Sequence, residues 1–166
     1  SHTQKKLADA ASRNVAVILS PNMGGGVTVL LGLVRSLAKT LGETYDIEIV
    51  ETHHRHKKDA PSGTALALAE AAAAGRGLDL HASAVHGRFG DVGPRKTSEI
   101  GIHSLRGGDV IGEHTVVFAG PGEKIELSHS VVTRDVFANG AVRAAEFLLD
   151  KKNGLYSMQD VLGFTV

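Results

Sequence analysis

The chain has 166 residues, 42% of them hydrophobic, with 18 Lys and Arg set against 18 Asp and Glu and no cysteine. Such a chain is expected to fold as about one soluble domain, burying roughly 70% of its unfolded surface without disulfides or a structural metal. Zero net charge and the lack of cysteine exclude a general nucleic-acid field and thiolate chemistry, and they fit a reducing, cytoplasmic setting.

Residues 4–11 read as a short helix, and 15–19 as an uninterrupted apolar strand of the type buried on both faces of a parallel sheet. That apolar run is too short to span a membrane, which takes about 20 residues, and no signal-peptide pattern opens the chain, so no membrane partner is expected. The chain begins with Ser1 rather than Met and offers the apolar strand no partner, so a sheet upstream is expected to bury it. From Val27 the apolar residues Leu30, Leu31, Val34, Leu37, Ala38 and Leu41 recur at helical spacing, with Gly42 as a stop. Residues 46–53 alternate as a strand, and 64–74 form an alanine-rich helix with Ser62 as its N-cap. Residues 75–99 are rich in Gly, His and Arg without periodicity, which predicts a long loop holding at most a short strand. Three strands at 100–106, 110–119 and 124–132, punctuated by glycine turns, predict an antiparallel meander. A helix over 136–149 follows, and Ser157 with Asp160 starts one more. The sum is α+β: a mixed, largely antiparallel sheet covered by helices, flanked by an isolated parallel-type strand.

The densest chemistry is His53-His54-Arg55-His56-Lys57 at the end of a strand. Three imidazoles, a guanidinium and an ammonium favour an anion, and repulsion within such a cluster keeps proton carriers available near neutral pH. Ser62-Gly63-Thr64 adds backbone N–H groups, hydroxyls and the positive end of a helix, which suits a carboxylate or phosphate. A solvated basic loop beside an ordinary N-cap is the plainer alternative. Metal binding is disfavoured, because cations crowd the histidines and an extended backbone turns His53 and His54 to opposite sides. His86, His103, His114 and His129 read as structural. Ser20-Pro21-Asn22-Met23-Gly24-Gly25-Gly26 lies between a strand and a helix, where α/β proteins hold nucleotides, but it matches neither a P-loop nor a dinucleotide fingerprint. It serves equally well as a hinge.

The run from Glu51 through Ala65, with Arg106-Gly107-Gly108-Asp109-Val110-Ile111-Gly112-Glu113-His114-Thr115 and Phe137-Ala138-Asn139-Gly140-Ala141-Val142-Arg143, resembles the dihydrodipicolinate reductase family in order and content. The resemblance covers essentially the whole chain. It implies hydride transfer from NADPH or NADH to a cyclic dicarboxylate, 4-hydroxy-tetrahydrodipicolinate, in lysine and diaminopimelate biosynthesis. It implies His53 as proton donor and acceptor and Lys57 as the second proton donor. His54, Gly63 and Thr64 would contact the substrate, and Ser20, Pro21, Asn22 and Met23 the cofactor, with Arg134 and Phe137 nearby. No metal is implied, and a homotetramer is. Gly24, Gly25 and Thr28 depart from the family pattern, where Ser, a larger apolar residue and Asn are expected.

The same resemblance implies that residues 1–24 and 134–166 belong to a Rossmann-like nucleotide-binding domain whose Gly-rich fingerprint lies outside this sequence. Residues 25–133 would form the substrate and oligomerisation domain. On that reading the chain is either the catalytic part of the reductase or a catalytically silent binding and assembly module.

Overall fold

The computed structural model describes residues 2–164; Ser1 and residues 165 and 166 lie outside the described residues. The chain divides into two compact units, Ser1–Val29 with Arg134–Val166, and Leu30–Thr133, and the first division falls inside a helix.

The larger unit is built on a five-stranded sheet of order β3-β4-β2-β5-β6, formed by β2 (Asp46–His53), β3 (Ala84–His86), β4 (Ile100–Arg106), β5 (Gly112–Gly120) and β6 (Glu123–Val131). The sheet is mixed. β3 and β2 both run parallel to β4, whereas β2 with β5 and β5 with β6 are antiparallel. The meander expected from the sequence is therefore interrupted. Only β5 and β6 form a hairpin, because β2 inserts between β4 and β5. Period-two alternation places Ile47, Ile49, Ile100, Ile102, Val116 and Phe118 in one buried cluster with the helices α2 (Gly25–Leu41) and α3 (Gly63–Arg76). Leu30, Val34 and Ala38 come from α2, and Ala65, Leu68, Ala69, Ala72 and Ala73 from α3.

The alanines of α3 have a packing reason. A Cβ on Gly75 would lie 2.4 Å from the Arg35 carbonyl oxygen and 2.9 Å from the Ala38 Cβ, so small residues let α3 approach α2 closely. Gly75 is thus a contact inside the helix and not its stop. The helix runs to Arg76, and Gly77, at φ 66°, supplies the left-handed cap. Residues 75–99 also hold a four-residue helix, α4 (Leu80–Ser83), capped by Asp79, which leads directly into β3.

The smaller unit contains α1 (His2–Ser12), β1 (Ala16–Ile18), α5 (Asp135–Leu148), β7 (Gly154–Tyr156) and α6 (Met158–Leu162). β1 does have a partner in this chain. It pairs in parallel with β7, a strand of three residues too short and too glycine-marked to announce itself by periodicity. β1 is partly exposed along its length, not buried on both faces. Ala144, Met158 and Val161 form this unit's buried cluster, with Ile18, Met23 and Phe147 packed against them. Ser157 caps α6 in a reciprocal capping box with Asp160, as the sequence predicts.

Candidate active site

β2 delivers the site. Ile47, Ile49 and Glu51 occupy its buried face at every second position, so Glu51 continues an apolar stripe with a carboxylate that is fully buried. A buried charge needs partners, and Glu51 has several. Arg106, at the end of β4, donates from Nη1 and Nη2 to its two oxygens at 2.8 Å each. The backbone N–H of Ser62 donates to Oε1 at 3.1 Å, and Nδ1 of His53 lies 2.5 Å from Oε2. Burial alone would raise the Glu51 pKa. The hydrogen bonds from Arg106, Ser104, His53 and Ser62 outweigh it and hold the carboxyl at about 2.

His53, two residues after Glu51, is 12% exposed. With Nδ1 on Glu51, its other nitrogen lies beside Gly112, where an added Cβ would stand 3.0 Å from Nε2. The parallel register of β2 and β4 sets His53 opposite Arg106. The His53 ring meets His114 edge-on at 5.2 Å. Nε2 of His114 is 3.0 Å from Oγ of Ser62, and Oγ accepts from the Ala65 N–H as the cap of α3. Burial, reinforced by the neighbouring His53, pushes His114 down to about 4, so it is neutral at physiological pH.

After His53 the chain turns. Gly107 N–H donates to the His53 carbonyl, Arg55 N–H to that of Gly108, and Lys57 N–H to that of His54. Lys57 Nζ donates to both carboxylate oxygens of Asp59 at 2.8 Å. Asp59 is lowered chiefly by that lysine. Arg106 Nη2 also donates to the Asp59 carbonyl at 2.8 Å. One guanidinium therefore fixes both the end of β2 and the loop that carries Lys57.

His54 is half-buried, with its ring 6.3 Å from the exposed His56. Gly63 is the first residue of α3, exposed, with open space where a Cβ would be; Thr64 follows it. The sequence-predicted His53, His54, Lys57, Gly63 and Thr64 all lie on the single passage from β2 into α3. Beside this passage is a cleft of about 480 Å³ lined by Ala60, Pro61, His86, Gly87, Ile102, His103 and Ser104. None of the five predicted residues lines it. No group of three or more His, Asp or Glu side chains among the described residues is placed to hold a metal.

Ser20, Pro21, Asn22 and Met23 belong to the smaller unit, where they form a braced turn. Ser20 donates to the Asn22 carbonyl at 2.8 Å, and the Asn22 side chain accepts from Gly24 N–H at 2.7 Å. α5 closes on this turn: a Cβ on Gly140 would come within 1.9 Å of the Met23 carbonyl oxygen, and Phe137 lies beside Gly24. A rigid turn of this kind can offer backbone groups to the amide and ring of a nicotinamide. It holds no cationic side chain for a phosphate.

The sequence reading did not single out Glu51, Arg106, Asp59 or His114 for the site's electrostatics. Glu51 was the most legible, since a carboxylate in phase with Ile47 and Ile49 has to be buried. The pairing with Arg106 depends on a strand order that no local pattern gives. Among the histidines read as structural, His103 and His114 are hydrogen-bonded. Nδ1 of His129 is buried without a partner.

A mixed sheet backed by two helices, with a histidine and lysine loop running from a strand end into a capped helix start, defines an α+β unit. The family model described as "Dihydrodipicolinate reductase, C-terminus" matches residues 26–162, and the chain belongs to that family. It is 53% identical over 163 residues to the 4-hydroxy-tetrahydrodipicolinate reductase of Nitrosospira multiformis, covering 98% of this chain and 61% of that protein. Against the protein of the same name from Rubrobacter xylanophilus it is 56% identical over 162 residues, covering 98% and 62%. The chain thus spans about three fifths of the length of these curated relatives. A solved dihydrodipicolinate reductase from Paenisporosarcina sp. TG-14, described as dipicolinate-bound, shares the fold with a TM-score of 0.67 at 24% identity, over 96% of this chain and 58% of that one.

Proposed function

We propose that this chain carries the substrate-binding and proton-transfer part of a 4-hydroxy-tetrahydrodipicolinate reductase. The observation that carries the reading is the placement of His53 and Lys57, each with a carboxylate two residues away, on the passage that ends at the capped start of α3. Family membership and the names of the relatives agree with it. A nicotinamide cofactor, NADH or NADPH, supplies a hydride when bound, and Ser20, Pro21, Asn22 and Met23 are the residues of this chain that would meet its nicotinamide end. His53 and Lys57 hold and move protons. His54, the Gly63 backbone and Thr64, with the positive end of α3, orient the two carboxylates of the substrate. A cationic, partly buried surface here would stabilise negative charge on the ring as it is reduced. The same reading includes a homotetramer in the cytoplasm. It is supported by the nine-residue outer strand β6 and by a sheet whose buried cluster gathers α2 and α3 on one face.

The test is calorimetric titration of the chain with pyridine-2,6-dicarboxylate, a planar dianion resembling the substrate. Wild type is expected to bind, and Lys57→Ala to bind roughly tenfold or more weakly, since a charge-assisted hydrogen bond is lost. Equal binding by the two would overturn the assignment of Lys57.

A further inference from the structure

The chemistry of a proton-carrying histidine depends on which ring nitrogen is free, and here the fold decides it. Besides Ser104, four donor atoms are arranged around the two oxygens of Glu51. Oε1 receives Arg106 Nη2 and the Ser62 N–H, while Oε2 receives Arg106 Nη1 and His53 Nδ1. An ionised carboxylate only accepts, so the nitrogen of His53 that faces it carries the hydrogen. We propose that Glu51, held by Arg106, is a positioning residue that fixes His53 in its Nδ1–H tautomer and so makes Nε2 the atom that exchanges the proton. This rests on the reading of His53 as the proton carrier.

The proton balance is simple. In the imidazolium both nitrogens carry hydrogen; Nε2–H gives its proton away, and the ring returns to the neutral Nδ1–H form that Glu51 already holds. A later proton is taken up at the Nε2 lone pair. Were the neutral ring in the other tautomer, Nε2 would carry hydrogen and could accept nothing. The groups around His53 agree with this division of labour. His114, edge-on to the ring, is kept neutral by burial and adds no competing charge. Gly112 leaves room beside Nε2, where a Cβ would press at 3.0 Å. Arg106 serves the strand carboxylate and the Asp59 carbonyl together, so the geometry of His53 and of the Lys57 loop is set by one side chain.

The substitution Glu51→Gln separates positioning from structural support. Both donors at Oε1, Arg106 Nη2 and the Ser62 N–H, are obligate, whereas at Oε2 only Arg106 Nη1 is, because the imidazole can move its hydrogen; the amide oxygen therefore settles at Oε1 and the Nη1 hydrogen bond is given up. The amide nitrogen then occupies the Oε2 position and donates to His53 Nδ1, which requires that nitrogen to be bare. Long-range ¹H–¹⁵N correlation spectra of the histidines, taken above about pH 8 where an ordinary imidazole is neutral, report the tautomer directly. The His53 signals are identified by their loss in His53→Gln. Wild type is expected to show Nδ1–H, and Glu51→Gln to invert the ratio by roughly tenfold or more. Glu51→Asp, which restores a carboxylate, is expected to return part of the Nδ1–H population.

An Nε2–H tautomer in wild type overturns the proposal without reference to any variant, and so does unchanged Nδ1–H in a folded Glu51→Gln. Pyridine-2,6-dicarboxylate titrated into the same wild-type sample tests the functional reading separately. Nδ1–H without dianion binding leaves the tautomer assignment standing and removes its catalytic context.

Discussion

At the scale of single residues, the charged groups inside the larger unit make stability depend on acid in two stages. His114 is held at about 4, well below the 6.5 of an exposed imidazole, so between these values the unfolded chain binds a proton that the folded one refuses. Stability therefore falls as pH drops from about 6.5 to about 4, by on the order of 2–3 kcal/mol for this group. Glu51 and Glu48 are then reached. Burial would raise Glu48, but hydrogen bonds from Arg88, His103 and Arg95 hold it at about 2, as Arg106 and its companions hold Glu51. Both carboxylates stabilise the fold above about 4.5, and that contribution disappears as pH falls toward 2. Urea unfolding midpoints measured from pH 8 to pH 3 are expected to decline continuously below pH 6.5. In His114→Gln, which keeps a hydrogen-bonding group beside Ser62, the upper part of the decline is expected to flatten while the lower part remains. An unflattened curve would remove His114 from the account.

At the scale of elements, glycines mark what the sequence concealed. The helix periods of α2 and α3 and the strand period of β2 were legible because one apolar face repeats over several turns or pairs. The helix expected over 64–74 runs on to Arg76, and only the approach of the Arg35 carbonyl shows why its position 75 is a glycine. The strand order was illegible for a related reason. Alternation says that a strand has a buried face, but not which strand lies beside it, so nothing local told that β2 separates β4 from β5. β7, with three residues, was below the length at which periodicity means anything. The residues expected to meet substrate and move protons lie on one passage because they are close in sequence, whereas Arg106, brought in by β4, had no assigned role.

Gly75 and Gly63 give opposite expectations under the same change. Gly75→Ala places a methyl against backbone and is expected to lower stability by about 1–3 kcal/mol despite the better helix propensity of alanine. Gly63 meets nothing within 4 Å and is not at positive φ, so Gly63→Ala should leave the thermal midpoint unchanged or slightly raised. If the Gly63 backbone meets a carboxylate, the added methyl weakens dianion binding all the same. Thermal melts paired with titration separate the two; a destabilised Gly63→Ala would mean that this glycine serves the fold.

At the scale of the whole chain, the two units are unequally provided with core. In the larger, fourteen buried apolar residues from two helices and three strands form one cluster, and every central strand is paired on both sides. In the smaller, the buried apolar cluster has three residues, and the sheet among the described residues is a parallel pair of three-residue strands. A two-stranded sheet is marginal in water, and Leu7, Val15, Val142, Leu149 and Leu155 of this unit remain exposed. Local opening costs less where fewer apolar groups must be exposed, so the smaller unit should open without the larger. Hydrogen–deuterium exchange read by mass spectrometry is expected to show protection in residues 16–18 and 154–156 at least ~100-fold below that in residues 46–53 and 100–106. α6 is the internal control, because its capping box satisfies the Asp160 N–H and the Ser157 N–H at its start yet leaves its packing with the same small cluster. If protection in residues 16–18 equals that of residues 46–53, the smaller unit opens only with global unfolding, and the core inventory would be the wrong measure of its stability. If α6 alone is protected, its cap and not the shared cluster sets the local stability.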